Sequence, residues 1–153
     1  MVRGRRSAGI TAKDFMLALL RLEYVRSGRA IGTIVEYAGE AVEDLSVDER
    51  ATMTNMAAEV GAFSGIVAPD EKTAAFLRER RGLDHAEAER LCRGWVSDPD
   101  AQYIETVELD ASDLSPMVAL PGDPGNGVFL KDLKGPVRID IAYGGSCTAG
   151  KNE

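Results

Sequence analysis

Two kinds of apolar pattern alternate along the chain: apolar residues at helical spacing, and short apolar runs bounded by glycine or proline. A helix is predicted over residues 11–27, because Phe15, Leu19 and Leu22 recur at the spacing of one helix face. A short strand is predicted over residues 33–37, which lie between glycines. Because helical and strand segments continue to alternate after this point, the pattern predicts an α/β domain, with a short sheet flanked by helices.

Capping residues define the later helices. Helices are predicted over residues 46–60, 70–81 and 84–93, because each segment opens with a serine or aspartate that can accept hydrogen bonds from the first turn. Strands are predicted between and after these helices, over residues 64–68 and 103–109. The elements up to residue 114 therefore form the predicted α/β domain.

The composition changes after residue 114. Residues 115–135 contain three prolines and four glycines, which predicts a linker or an irregular crossing between two structural units. Residues 137–142 then predict a strand that leads into a Gly-Gly-Ser-Cys-Thr turn. We therefore divide the chain into a domain over 1–114 and a linker with the start of the next domain over 115–153. Residues 116–153 are expected to pack poorly against the first domain.

Charge and composition narrow the function classes. The net charge of −7 argues against nucleic-acid binding, and the arginines at positions 3, 5 and 6 are expected to form a solvated tail. No apolar run approaches the roughly 18–20 residues that span a bilayer, and the start lacks a signal-peptide pattern. With only two cysteines, Cys92 and Cys147, a disulfide framework is not expected. These features predict a cytoplasmic protein with no nucleic-acid or membrane partner.

Two groups of residues could carry chemistry. Asn55 and Glu59 are four positions apart on a predicted helix, so they share one face, and a carboxamide beside a carboxylate can orient a polar substrate. Such pairs are also common on ordinary helix surfaces. Gly144 and Gly145 allow a sharp turn before Cys147, where backbone N–H groups can stabilise a thiolate or cluster sulfur. An unreactive thiol after a strand fits the same spacing.

Five segments resemble, in the same order along the chain, motifs of the aconitase superfamily, and most closely those of its isopropylmalate dehydratase branch. They are residues 10–14 (I-T-A-K-D), 32–41 (G-T-I-V-E-Y-A-G-E-A), 51–62 (A-T-M-T-N-M-A-A-E-V-G-A), 68–73 (A-P-D-E-K-T) and 145–148 (G-S-C-T). The resemblance extends over nearly the whole chain.

The resemblance implies an aconitase-like fold and an iron–sulfur hydro-lyase of leucine biosynthesis. Such an enzyme removes water from a hydroxy di- or tricarboxylic acid, here most closely 2- or 3-isopropylmalate, and adds it back. The resemblance assigns Cys147 as a metal ligand of a 4Fe–4S cluster, Ser146 as a cofactor-binding neighbour, and Asn55 and Glu59 as catalytic side chains. The implied partners are the other large-subunit segments and a small swivel-domain subunit, and a homo-oligomer is also expected.

The sequence departs from the family pattern in its chemistry-bearing residues. The family's C-x-x-C pair, catalytic histidines and serine base are absent, and Ala149 stands where asparagine is usual. Cys92 is expected to be a core residue of a helix, and His85 a surface residue. We therefore expect this chain alone neither to hold a stable cluster nor to act as a dehydratase. It is either part of a hydro-lyase site completed elsewhere or a non-catalytic assembly or regulatory module derived from the family.

Overall fold

The computed structural model describes residues 1–145, which form short sheets flanked by helices. The helices are α1 (Ala12–Leu20), α2 (Glu23–Arg26), α3 (Glu40–Glu43), α4 (Val47–Asn55), α5 (Ala57–Val60), α6 (Glu71–Arg81) and α7 (His85–Cys92). The strands are β1 (Val2–Arg3), β2 (Ile34–Glu36), β3 (Ser64–Ile66), β4 (Leu109–Asp110), β5 (Met117–Ala119) and β6 (Gly127–Phe129). This arrangement confirms the predicted α/β class. Over residues 1–145, no helix combines the length and the apolar character needed to cross a membrane.

The described strands pair two by two. β1 pairs with β4 and β2 with β3, both in parallel, while β5 and β6 form an antiparallel pair. A parallel pair needs a crossover connection, and α3, α4 and α5 supply it between β2 and β3. The crossover brings the segment that carries Asn55 and Glu59 alongside β3.

The core surrounds α1. Phe15 and Met16 of this helix are fully buried, and they share one cluster with Val42, Leu45 and Met53. Burying side chains of this size stabilises the fold by about 1.5–3 kcal/mol each. The core therefore joins α1 to the helices of the crossover.

Two predicted helices are interrupted. The helix predicted over 11–27 ends at Leu20, and Leu22 adopts an extended backbone with ψ of 141° before α2 begins. The helix predicted over 46–60 is divided at Met56, whose ψ of 4° departs from the helical value. Its predicted end is nevertheless confirmed, because Gly61 follows α5 in the left-handed conformation at φ 83°.

Two predicted strands are wrong for most or all of their length. Of the strand predicted over 103–109, only Leu109 lies in a strand, β4 (Leu109–Asp110), and residues 137–142 contain none. A strand requires a neighbour that pairs with its backbone groups. Tyr103 instead uses its hydroxyl, which donates to Glu36 at 2.8 Å, to hold its segment in place.

The segment expected to pack loosely is ordered in its first half. Met117 and Phe129 of the β5–β6 hairpin pack against the core, and the backbone N–H of Met117 donates to buried Asp14 at 2.7 Å. The same carboxylate accepts a hydrogen bond of 2.7 Å from the N–H of Thr11, so it ties the start of α1 to the hairpin. The expectation of poor packing is therefore wrong for β5 and β6.

Residues 134–145 follow the expectation, because they form no helix or strand and their apolar side chains face solvent. Val137, Ile139 and Ile141 are 67%, 69% and 86% exposed. The three apolar side chains lie close together in sequence, on a segment that forms no strand and is therefore open to pairing. Self-association through this segment remains a prediction.

We expect Ile139→Lys to weaken self-association about tenfold or more, because burying an isoleucine contributes about 1.5–3 kcal/mol. Light scattering across a concentration series measures the change. Leu130→Lys is the matched control, since Leu130 is also exposed but lies outside the segment. A wild-type chain that stays monomeric at high concentration would contradict the prediction.

The N-terminal arginines do not form a solvated tail. Arg6 forms an ion pair with Glu49 and donates to the carbonyl of Ile10 at 3.3 Å. Arg3 donates to Glu108 at 2.6 Å. The glycine at position 4 allows the turn between them at φ 76°. These contacts attach the N-terminal segment to α4 and to the β4 end of the domain.

Two of the ion-paired carboxylates give the fold a pH dependence. Burial would raise the pKa of Glu49, but hydrogen bonds from Arg6 and Ser46 outweigh it and hold that pKa below its usual value. The hydrogen bond from Arg50 likewise lowers the pKa of Asp70, against a smaller effect of burial. A lowered folded-state pKa stabilises the fold above the unfolded-state pKa, and this stabilisation is lost as the pH falls through the folded-state pKa.

We therefore expect the free energy of unfolding to stay level from pH 7 to about 5 and to fall below about pH 4. Urea denaturation at each pH measures it. Glu49→Gln should reduce the acid-induced fall, whereas Glu71→Gln, at an exposed position of α6, should leave it unchanged. Equal curves for both variants and the parent chain would contradict this prediction.

Candidate functional site

The α4–α5 segment is positioned by caps at both ends. Ser46 and Glu49 form the predicted capping box, with the N–H of Glu49 donating to the Ser46 hydroxyl at 3.2 Å and the N–H of Ser46 donating to the Glu49 carboxylate at 3.0 Å. At the other end, the N–H of Gly32 donates to the carbonyl of Gly61 at 2.9 Å. The two candidate residues between these caps therefore sit on a fixed segment.

Asn55 and Glu59 are both exposed, on either side of the break at Met56. Asn55 is the last residue of α4, and Glu59 lies within the single turn of α5. Ala57 and Val60 are buried and hold α5 against the core. The segment therefore presents a carboxamide and a carboxylate to solvent, one turn apart along the chain.

Glu59 lines an open groove of about 520 Å³. Three parts of the chain form this groove, which we call the Glu59 groove: the α2 region, the end of α5, and the loop between β5 and β6. Its lining residues are Leu20, Val25, Arg26, Gly28, Ile31, Ala58, Glu59, Val60, Gly61, Asp123, Gly125 and Asn126. Asn55 is exposed but does not line this groove. Of the two candidates, Glu59 alone thus faces a described cavity of this size.

Tyr37 is packed beside the same segment. Gly65 leaves room for its ring. A Cβ at position 65 would lie 2.9 Å from the Tyr37 ring and 3.1 Å from the side chain of Ala57, and both distances are shorter than an ordinary van der Waals contact. Its hydroxyl is buried without a hydrogen-bond partner in the described part of the chain. Burial raises the pKa of Tyr37, and the charge of Glu59 raises it further. The phenol of Tyr37 therefore stays neutral, and its side chain is buried beside α5.

The A-P-D-E-K-T segment has a structural role. Asp70 caps α6 by accepting from the N–H of Thr73 at 3.1 Å, and it accepts from buried Arg50 at 2.6 Å. Lys72 donates to the carbonyls of Glu43 and Asp44 at 2.7 and 2.8 Å. These contacts hold α6 against the end of α3 and against α4, the helix that ends at Asn55.

Ser146 and Cys147, the expected cofactor-binding residues, lie outside the described residues. Within residues 1–145, no group of three or more histidine, cysteine, aspartate and glutamate side chains is placed to hold a metal ion. The whole sequence contains two cysteines, whereas a 4Fe–4S cluster takes several thiolates. The residues of this chain therefore do not by themselves fit the cluster that the resemblance implies.

The two other candidate ligands lie away from the Glu59 groove. Cys92 is only partly buried at the end of α7, so the expectation that it is a core residue is wrong. It lines a separate groove together with Trp95, which is 73% exposed. His85 is on the surface, as expected, and its Nε2 lies 3.1 Å from the carboxylate of Glu89.

The sequence interpretation missed the contribution of Arg26 and the β5–β6 loop to the groove. The loop was predicted to be a linker because residues 121–127 are rich in proline and glycine. The short apolar runs on either side, Met117–Ala119 and Gly127–Phe129, were a signal for a hairpin. Arg26 carried no such signal, because its place in the lining of the groove depends on how the elements pack.

Comparisons of the sequence with family models and with curated proteins agree on one family. The model of the aconitase family (aconitate hydratase) matches residues 1–137. The 3-isopropylmalate dehydratase large subunit of Nautilia profundicola is 39% identical over 149 residues, covering 97% of this chain and 34% of the relative. That of Sulfurimonas denitrificans is 40% identical with the same coverage. A large subunit 1 from Pyrococcus furiosus is 39% identical over 145 residues, covering 94% of this chain and 32% of the relative. The chain thus spans about a third of the length of the curated relatives it matches.

Proposed function

This chain belongs to the aconitase family, and from that membership we propose that it contributes part of the active site of an iron–sulfur hydro-lyase. The proposed reaction is the dehydration and rehydration of 2- or 3-isopropylmalate or a similar hydroxy acid. The names of the relatives support this substrate class. Because the chain spans a third of those relatives, the activity is proposed for the assembly of which it is a part.

The observation that carries the proposal is the exposure of Glu59 at an open groove. A carboxylate on the exposed turn of α5, next to a cavity, can form hydrogen bonds with a small polar ligand. We propose that Glu59 binds the hydroxyl group of the substrate and that Asn55, one turn before it, orients a substrate oxygen through its carboxamide. Both side chains would act by fixing the reacting atoms in position.

The iron–sulfur cluster is proposed to require ligands from beyond this chain. Cys147 is our candidate for one thiolate ligand, with Ser146 supporting the turn that carries it. The remaining thiolates would come from other segments of the large subunit, because the chain has only one further cysteine, Cys92, which is at the end of α7. The relatives are named large subunits, which supports a small subunit as the additional partner.

A chimeric large subunit tests the proposal. In this chimera, the part of the Nautilia profundicola large subunit that aligns with this chain is replaced by residues 1–153, and the relative's small subunit is added. After anaerobic reconstitution of the cluster, we expect conversion between 2- and 3-isopropylmalate. Iron and acid-labile sulfide are measured on the same sample, and the 153-residue chain alone is assayed in parallel.

Activity in the chimera, together with none in the chain alone, would support the proposed function. A chimera that assembles, binds iron and sulfide and remains inactive would favour the alternative, a non-catalytic module derived from the family. A stable 4Fe–4S spectrum from the 153-residue chain alone would overturn the view that its ligand set is incomplete.

A further inference from the structure

We propose that an extended strand, supplied by a large-subunit segment outside these 153 residues, lies parallel between β2 and residues 102–107 and joins the two parallel strand pairs into one sheet. It would fill a slot of about 550 Å³ that these two segments line, which we call the β2 slot. Three features support this docking: the unpaired edge of β2, the hydrogen bonds of β1 beside the slot, and the apolar floor. Docking of this strand goes beyond the proposed reaction and does not depend on it, since it concerns how the sheet is completed.

The edge of β2 that faces the slot has no partner strand within residues 1–145. On its other edge β2 pairs with β3, and the N–H of Tyr37, directly after β2, donates to the carbonyl of Ile66 at 2.8 Å. Successive residues of a strand in a parallel sheet direct their backbone groups to opposite neighbours, so those of Glu36 and Ala38 point to the slot. This edge therefore offers the donors and acceptors that another strand requires.

β1 lies in line with the slot and already pairs as the added strand would. On the β2 side, the N–H of Val2 donates to the carbonyl of Ala38 at 2.7 Å. On the β4 side, the carbonyl of Met1 accepts from the N–H of Leu109 at 3.0 Å, and its amine donates to the carbonyl of Val107 at 2.9 Å. Because Met1 lines the slot, a strand that leads into Met1 would continue this ladder between the two walls.

The position of the Met1 amine suits a peptide N–H better than a charged group. Burial lowers the pKa of this amine, because a positive charge there loses water. A peptide N–H at the same place would keep the hydrogen bond to Val107 without the cost of a desolvated charge.

The opposite wall of the β2 slot also lacks a neighbour in the described part of the chain. The sequence predicts a strand over 103–109, yet only Leu109 of it pairs with another strand. Ile104 is 89% exposed, and the hydroxyl of Tyr103 reaches the Glu36 carboxylate on the other wall through side chains alone. A strand between the walls would supply the backbone partner that this predicted strand requires.

The floor of the β2 slot is apolar. Leu19, Val25 and Val35 line it and pack against the core. A strand that alternates apolar and polar residues would bury its apolar side chains on this floor, as parallel sheets do. This chain spans about a third of the length of its large-subunit relatives, so most of a large subunit lies outside it and can supply such a strand.

The test adds residues ahead of Met1 and measures amide hydrogen exchange by NMR. One variant carries the extension Thr-Val-Thr-Val-Thr-Val, whose valines fall on the same side of the strand as buried Val2 and so face the core. The control carries Gly-Ser-Gly-Ser-Gly-Ser, which has a low strand propensity. We expect exchange to be at least about tenfold slower at Ala38 and Val107 in the first variant alone, because their N–H groups would donate to the added strand.

A shorter extension, Thr-Val, keeps the test valid if the longer one disturbs folding, since its two carbonyls are those that Ala38 and Val107 would bind. Exchange at Phe76 of α6 should match the parent chain in every variant and reports that the fold is intact. Equal protection by both kinds of extension, or none by either, would overturn the inference. Protection in the unextended chain that rises with its concentration would identify a second copy as the occupant, and would overturn it as well. None of these outcomes depends on turnover, so activity of the chimera tests the proposed function separately.

Discussion

Glu59→Gln in the chimeric large subunit is expected to lower kcat for isopropylmalate by about a hundredfold or more, with little effect on cluster content. Glutamine keeps the size of the side chain but loses the charge and one acceptor. Glu59 is exposed at the groove and forms no ion pair within residues 1–145. The substitution should therefore not disturb folding. The loss should therefore appear in turnover rather than in the amount of assembled enzyme.

Glu71→Gln provides the matched control for this variant. Glu71 is also an exposed glutamate near the start of a helix, but it lies on α6 and does not line the Glu59 groove. Its kcat should stay within about twofold of the parent chimera. Equal activity of the two variants would show that Glu59 is an ordinary surface residue, and the catalytic assignment would be withdrawn.

Local signals predicted the helices better than the strands. The helices that begin after Ser46, Asp70 and Asp84 start where their capping residues predicted, because a cap depends on contacts within a single turn. A strand depends on a partner that is distant in sequence. Residues 103–108 have an apolar, strand-like pattern, yet only Leu109–Asp110 finds a partner, in β1. The partner could not be deduced from the pattern alone.

The candidate site was also predictable only in part. The resemblance of residues 51–62 to a family motif made Asn55 and Glu59 candidates, and the structure places both at the surface. The groove around Glu59 could not be predicted, because α2 and the β5–β6 loop approach α5 only through packing on the core. The interpretation of the loop as a linker concealed this further, since proline and glycine are as common in hairpin loops as in linkers.

Arg50→Met is expected to lower the free energy of unfolding by about 2–4 kcal/mol. The Arg50 side chain is 5% exposed, and it donates to Asp70 at 2.6 Å and to the carbonyl of Glu43 at 2.8 Å. Methionine fills part of the volume but leaves the carboxylate without its partner. We place the effect towards the lower end of that range, because Asp70 is 36% exposed and can be rehydrated. Urea denaturation followed by circular dichroism measures the change.

A double-mutant cycle with Asp70→Asn separates the pair from the packing of the Arg50 stem. Asparagine also caps helices well, so Asp70→Asn should retain the start of α6 while removing the charge. The cycle should give a coupling of about 1–2 kcal/mol between the two positions. Arg80→Met is the control, because Arg80 lies on the exposed end of α6, and its effect should remain within about 0.5 kcal/mol. If Arg50→Met were as mild as Arg80→Met, the pair would not hold α6 against α4, and the A-P-D-E-K-T segment would need another explanation.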